Sequence, residues 1–380
     1  MRTRNSKTLI IRISLLLVVA LLGIMVFSGC GVGFGAAAQG WSGGVIDNGV
    51  LFIGSMEGKI VAANITDGRL LWAVPLESGE ESGGGFGCAR ASTAVAIYGS
   101  PAVAGDLVCI GGYIGKIYAF SRDEAREEPR WIYPRQDSIG GLVIGGIISD
   151  QGKLYFGADN GIVYALDAAD GYKEWDFDAG DKIWSTPAID GDTLYIGSFN
   201  KKLYALNTSD GSKKWEFEAE GAIVSTPVVH NNTVYFGSFD RCIYAIDAAG
   251  GSLKWKFTAT NWFWAEAVVY DGNVYAACLD GKVYALDARS GNERLSFDLG
   301  SPISSSPVLV DDLLIVATQE GVVYALSTDS NRQRQLADFE EKVYASLTAG
   351  EGKVYVHTDA DALYEIDVQS GAEREFDIKE

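Results

Sequence analysis

Tyr204-Ala205-Leu206-Asn207-Thr208-Ser209-Asp210-Gly211, with Trp215 four residues on, is the stretch that decides how this chain folds. It recurs 40 residues earlier as Tyr164-Ala165-Leu166-Asp167-Ala168-Ala169-Asp170-Gly171, leading to Trp175. It recurs 40 residues later as Tyr244-Ala245-Ile246-Asp247-Ala248-Ala249-Gly250-Gly251, leading to Trp255. Alternating apolar and aromatic residues up to the Asp or Asn read as a strand. The Asp or Asn then accepts turn N–H bonds, and the Gly supplies the positive φ that the turn needs.

The period extends along the chain. Tyr164, Tyr204, Tyr244, Tyr284, Tyr324 and Tyr364 follow one another at 40 residues; Tyr118 precedes them by 46, and Val61 holds the place in a first copy. Trp72, Trp131, Trp175, Trp215 and Trp255 form a second column, and Pro101, Pro187, Pro227 and Pro307 a third. There are eight copies. Each shows four short apolar runs with turn signals between them. In the fifth these are Ile223 to Val229, Thr233 to Ser238, Cys242 to Asp247 and Ser252 to Thr258, with His230-Asn231-Asn232 and Phe239-Asp240-Arg241 as turns. Four antiparallel strands per unit of about 40 residues predict an all-β, eight-bladed β-propeller. The eighth copy ends with Ala372 to Ile378 as its fourth strand; nothing in the pattern tells whether strand exchange closes the ring.

The N-terminus reads as an export signal. Arg2, Arg4, Lys7 and Arg12 precede an apolar stretch from Ile13 to Phe27, and Phe27-Ser28-Gly29-Cys30 resembles a bacterial lipobox with Phe where Leu is usual. The expected organisation is a signal peptide over 1–29, a lipidated Cys30 opening a short linker over 30–40, and the propeller over 41–380. The formal net charge is −19; removing 1–29 leaves 27 cations against 50 acids, or −23. Nucleic acid is excluded as a partner, because phosphate binding needs clustered Lys and Arg. Of five Cys, none forms Cys-x-x-Cys, and the two His, His230 and His357, cannot build a zinc site unaided. Cys88 could pair with Cys109, and Cys242 with Cys278.

The Asp-Ala-x-Thr-Gly-x-x-x-Trp character of the recurring segment resembles the repeat of the pyrroloquinoline quinone (PQQ) propellers, over about residues 41–378. The resemblance implies that Trp72, Trp131, Trp175, Trp215 and Trp255 dock between neighbouring blades; Leu295, Gln335 and Glu375 replace the Trp in the last three. Two groups share the repeat. Quinoprotein alcohol dehydrogenases are usually much longer and carry an adjacent Cys pair against the cofactor, which this chain lacks. The non-enzymatic group includes the BamB-type outer-membrane assembly lipoproteins, similar in length, blade number and lipoprotein signal. The expectation is a monomeric, non-catalytic envelope lipoprotein that presents a protein-interaction scaffold to envelope proteins and needs no cofactor. It would be lipid-anchored on the outer face of the cytoplasmic membrane, or in the outer membrane facing the periplasm. The alternatives are a quinoprotein oxidoreductase with PQQ and Ca²⁺, and a sensor propeller that binds a peptide or saccharide.

Candidate binding residues come from the column 20 positions before the repeat Tyr, which holds Trp41, Tyr98, Trp184, Trp264 and Tyr344, with Ile144, Val224 and Ser304 in the other blades. Two positions on, Glu266 replaces the Thr or Ser of other copies. Residues two apart share a face, so Trp264 and Glu266 would look into one channel mouth, with Trp184 two blades away. Blade-to-blade packing with a single carboxylate accounts for the same pattern. The run Trp262-Phe263-Trp264 is the densest aromatic cluster, either a contact surface or core. Two insertions break the period: Leu76 to Gly99, with Glu77, Glu80, Glu81 and Cys88, and Glu127 to Ser138, flanked by Arg126 and holding Arg130 and Arg135. Either could bind a partner or be a tolerated loop.

Overall fold

The computed structural model describes residues 40–76, 95–124, 126 and 128–378. Among them are thirty-two strands in eight four-stranded antiparallel sheets, and no helix. The sheets are the blades of a propeller, covering residues 44–75, 102–133, 148–178, 188–218, 228–258, 268–298, 308–338 and 348–376. Every sheet consists of four consecutive strands, so each blade is complete in itself and no strand is exchanged to close the ring. The signal segment, Cys30 and almost all of the linker lie outside the described residues, as do Glu77, Glu80, Glu81 and Cys88.

Blade five shows how the pattern becomes structure. Its strands are Val228–His230, Thr233–Gly237, Cys242–Asp247 and Leu253–Thr258. The first is shorter than the apolar run from Ile223 to Val229. Pro227 has no N–H and cannot extend the ladder. Before it, Ser225 Oγ replaces the ladder, donating to the Gly237 carbonyl at 3.0 Å and accepting from the Gly237 N–H at 2.8 Å. His230 is a rung of the sheet, opposite Thr233, and not part of the turn. Asn231 and Asn232, with φ of 48° and 56°, make the turn alone. In blade eight the last strand is Glu373–Phe376, inside the run from Ala372 to Ile378.

A sheet has two apolar faces, and the ring buries both. The core is a set of layers between blades: Tyr195, Leu203 and Ala205 of blade four pack on Ile223, Val234, Phe236 and Tyr244 of blade five, and the arrangement repeats. The last layer joins the chain ends, with Leu51, Ile53 and Val61 against Tyr355, Leu363 and Phe376.

One polar contact recurs across these layers. Trp131 Nε1 donates to the Ala168 carbonyl of the next blade at 3.1 Å, Trp175 to Thr208 at 3.0 Å, Trp215 to Ala248 at 2.9 Å and Trp255 to Ala288 at 3.0 Å. The hydroxyls of Tyr155, Tyr195 and Tyr235 donate to the carbonyls of Thr208, Ala248 and Ala288 as well. Each Trp stands opposite a small residue of its own sheet, as Trp255 does opposite Ala245, beside a register shift. Where the Trp column ends, the acceptor column continues. Tyr275 donates to Thr328 at 3.0 Å, Arg334 to Val368 at 2.5 Å, and Arg374 to Ile65 at 2.9 Å and Thr66 at 3.1 Å. Arg374 is held by the buried Glu365 at 2.6 Å, which also takes Lys353 at 2.9 Å. Met56 N–H donates to Asp361 at 2.7 Å, and Asp361 meets His357 Nε2 at 2.9 Å. His357, at the place of a glycine in other copies, therefore belongs to the seam between blades eight and one.

The cysteines do not pair as Cys242–Cys278; both are free thiols. Cys242 Sγ faces Thr258 Oγ1 at 3.2 Å within its own blade, and Cys278 Sγ faces the carbonyls of Asn261 and Trp262 at 3.3 and 3.4 Å. Cys109 is also free and fully buried among Leu107, Ile117 and Leu154.

Gly251 has φ +72°, and a Cβ there would stand 2.7 Å from the Trp215 ring, whereas Gly191, with φ +59°, has nothing within 4 Å of that position. Gly191→Ala should cost about 1–2 kcal/mol, the left-handed strain alone. Gly251→Ala should cost a further 1–3 kcal/mol or so through overpacking. Urea unfolding of both variants checks this; equal losses would mean that the Trp215 dock is not tight.

Candidate functional site

The axis of the ring is crowded, and small residues permit it. A Cβ on Gly99 would come within 2.2 Å of the Gly145 carbonyl oxygen, and one on Gly145 within 2.7 Å of that of Ser185. The equivalent Ser42, Ser185, Ser225 and Ser305 are almost wholly buried. Ser42 and Ser185 hydroxyls donate to the next blade, to Gly99 and Ser225 carbonyls, each at 2.9 Å. Burial alternates through these lead-in segments. In blade six Phe263, Ala265 and Ala267 are buried, while Trp262, Trp264 and Glu266 between them are partly exposed. The run Trp262-Phe263-Trp264 is thus divided, Phe263 to the core and its neighbours to the axial side.

The structure gathers the candidate aromatics into two groups. Trp41 meets Tyr98 edge-on at 4.7 Å and Tyr344 at 5.4 Å, joining blades one, two and eight. Tyr113 adds to this group, 5.0 Å from Tyr98. Burial, and Tyr113 beside it, push the Tyr98 hydroxyl up to about 12. In the second group Trp184 of blade four and Trp264 of blade six stand 6.3 Å apart, with the small Val224 at that position in blade five. Phe199 packs on Trp184 at 4.6 Å, and Phe239 stacks on Trp262 at 4.6 Å and on Trp264 at 5.5 Å. Sequence reasoning missed Tyr113, Phe199 and Phe239. Each lies two residues after the glycine of a second-strand column, Gly111, Gly197 or Gly237, a shared position that could have revealed them.

Polar groups in the second wall are incompletely matched. The Glu266 N–H donates to Ser306 Oγ at 3.1 Å across the blade boundary, as Gly146 does to Thr186 at 2.7 Å. The Glu266 carboxyl is raised to about 7, and burial is the cause. Among the described residues, Trp184 Nε1 and Ser304 Oγ are buried without a hydrogen-bond partner. Among the described residues no three His, Cys, Asp or Glu side chains stand close enough to hold a metal ion. What this wall offers is aromatic faces, one acid and unused hydrogen-bonding atoms.

Of the second insertion, Arg126 pairs with Glu124 and Arg135 lies over the exposed Tyr172 ring at 4.7 Å, so both arginines are engaged at the surface.

Blade number, the four-stranded unit and the Trp-to-carbonyl contact define a PQQ-like repeat propeller. The chain belongs to the family described as outer membrane protein assembly factor BamB, whose model matches residues 45–177, 159–305 and 279–374. A curated relative of that description, from Taylorella asinigenitalis (strain MCE3), is 26% identical over 128 residues, which is 34% of this chain and 30% of the relative. The match therefore spans under a third of that relative's length. Two crystal structures share the fold. BamB from Moraxella catarrhalis aligns with a TM-score of 0.68 and 17% identity, over 85% of this chain and 92% of that one. The computationally designed Ika8 protein aligns with a TM-score of 0.70 and 15% identity, over 88% and 96%.

The raised Glu266 carboxyl has a signed consequence. Unfolded, it titrates near its ordinary 4.5; folded, near 7. Between these values the folded chain keeps a proton that the unfolded chain has lost, so this group's contribution to stability falls as pH rises from about 4.5 to about 7. Glu266→Gln should remove that slope, worth about 3 kcal/mol at most. Unfolding free energies of both forms at pH 5 and pH 8 check it; parallel pH profiles would place the carboxyl in water.

Proposed function

We propose that the chain is a non-catalytic scaffold of the cell envelope, exported and anchored through a lipid on Cys30, that takes part in outer-membrane protein assembly. The match of the BamB family model along residues 45–374 carries this reading. Its envelope location is drawn from the same family and from the signal-like N-terminus.

The surface supports contact through loops. The outermost strands are rich in charge: Lys173–Asp178 has exposed Lys173, Glu174, Asp176 and Asp178 around the buried Trp175. In blade four Glu216 pairs with Lys202 at 2.5 Å and Lys213 at 2.7 Å. Charged edges discourage a further strand from adding to a blade, which leaves the turns and insertions for partners. The axis supports a non-catalytic reading too. PQQ carries three carboxylates and would need cations, whereas the two axial columns contain Glu266 and neither Lys nor Arg.

Photo-crosslinking in cells from the exposed Tyr172 position, and from residues of the second insertion, tests the reading. Outer-membrane assembly proteins should be captured in discrete adducts. No adduct with any envelope protein from any surface position would contradict it.

A further inference from the structure

The second aromatic wall carries polar groups left unmatched among the described residues. Trp184 and Trp264 present indoles 6.3 Å apart, and Phe239 extends the surface from Trp264 to Trp262. Glu266 follows Trp264 on the same side of the lead-in segment, as the alternating burial shows. It is the one acid in a column that elsewhere holds Gly, Ser or Thr. A carboxylate drawn partly out of water is costly unless it is paired; Glu266 keeps some exposure, yet burial acts on it with no cation among the described residues to offset it. Two further atoms lack partners among the described residues: Trp184 Nε1, an obligate donor, and Ser304 Oγ in the adjoining blade seven.

These features select the ligand. Indole faces and a carboxylate together attract an organic cation. An orphan indole N–H asks for an acceptor close by. A basic residue in an extended polypeptide supplies both, the cation in its side chain and the acceptor in its backbone carbonyl. A saccharide would use the aromatic faces and could donate hydroxyls to the carboxylate, but would bring no charge to offset it. A formal charge of −19 adds attraction for cationic segments at long range. We propose that this wall binds the basic side chain of an extended polypeptide segment, with Trp184 and Trp264 flanking the cation, Glu266 pairing with it and Trp184 Nε1 donating to a peptide carbonyl. The site stands apart from the scaffold reading: envelope partners could be captured on the loops while no peptide binds here, and the reverse.

The test uses the full chain in a non-ionic detergent, titrated with the blocked tripeptide glycyl-arginyl-glycine and its glycyl-glutaminyl-glycine counterpart. Binding is followed by tryptophan fluorescence and calorimetry. The arginyl peptide should bind saturably, about tenfold more tightly than the neutral one. Glu266→Gln, which keeps the shape of the side chain, should erase that preference. Trp184→Phe, which keeps a ring but removes the N–H, should weaken both peptides alike. Thermal midpoints of the variants within a few degrees of the parent show that the ring is intact. No saturable binding up to about 10 mM, equal affinity for the two peptides, or an unchanged preference in an intact Glu266→Gln protein would each overturn the proposal. So would saturation by a short oligosaccharide with no response to the arginyl peptide.

Discussion

From blade two round to blade eight, each blade of this ring is fastened to the next through one backbone carbonyl at the turn after the third strand. A bulky donor from the preceding blade reaches that oxygen: an indole N–H and a tyrosine hydroxyl together in the middle of the chain, and a tyrosine or guanidinium alone towards its end. The contact counts for most where it is fully buried, as at Trp131 to Ala168 and Tyr195 to Ala248. A hydrogen bond that nets about 1 kcal/mol in an average site becomes costly to break where the acceptor would be left dry. It also sets the distance between sheets, since the indole lies against a glycine that has no room for a Cβ. Seven such fastenings run from blade two round to blade one, and the last, from Arg374 to Ile65 and Thr66, joins two ends that no shared strand connects.

The same spacing governs the axis. Once the outer fastenings fix the angle between blades, the lead-in segments are driven together, and glycine or serine is required where backbones nearly touch. Side chains one position away point into the remaining space. There the chain is uneven. Aromatics crowd blades eight, one and two on one side and blades four to six on the other, and a single carboxylate sits near the second group. A ring built only for packing would have no need to draw an acid partly out of water with no cation beside it among the described residues.

Much of this was legible in the sequence because the period is strict. The 40-residue spacing of tyrosines delivers blade number and strand order, and the Asp-to-Gly turn with its Trp marks the join between blades. What was hidden has physical reasons. Arg334 and Arg374 do not look like tryptophan, yet they reach the same carbonyl column, so a column of residue types ends where a column of hydrogen bonds continues. Phe199 and Phe239 sit in turns, and turn residues are usually discounted as solvent-exposed; here those turns rim the axis and pack on the indoles. The division of Trp262, Phe263 and Trp264 between axis and core needed the local alternation of burial, which three consecutive aromatics conceal. The suggested Cys242–Cys278 pair failed because proximity of blades does not align side chains: each sulfur turns to an oxygen partner of its own.

The central claim is that this propeller works by holding surfaces and a ligand wall in place, and not by chemistry on a quinone at its axis. Titration of the protein with PQQ and Ca²⁺, followed by tryptophan fluorescence and by dye reduction with alcohols and sugars, tests it most directly. The account predicts no saturable binding and no reduction of the dye. Saturable binding with substrate-dependent dye reduction would contradict it and make the chain a short quinoprotein oxidoreductase.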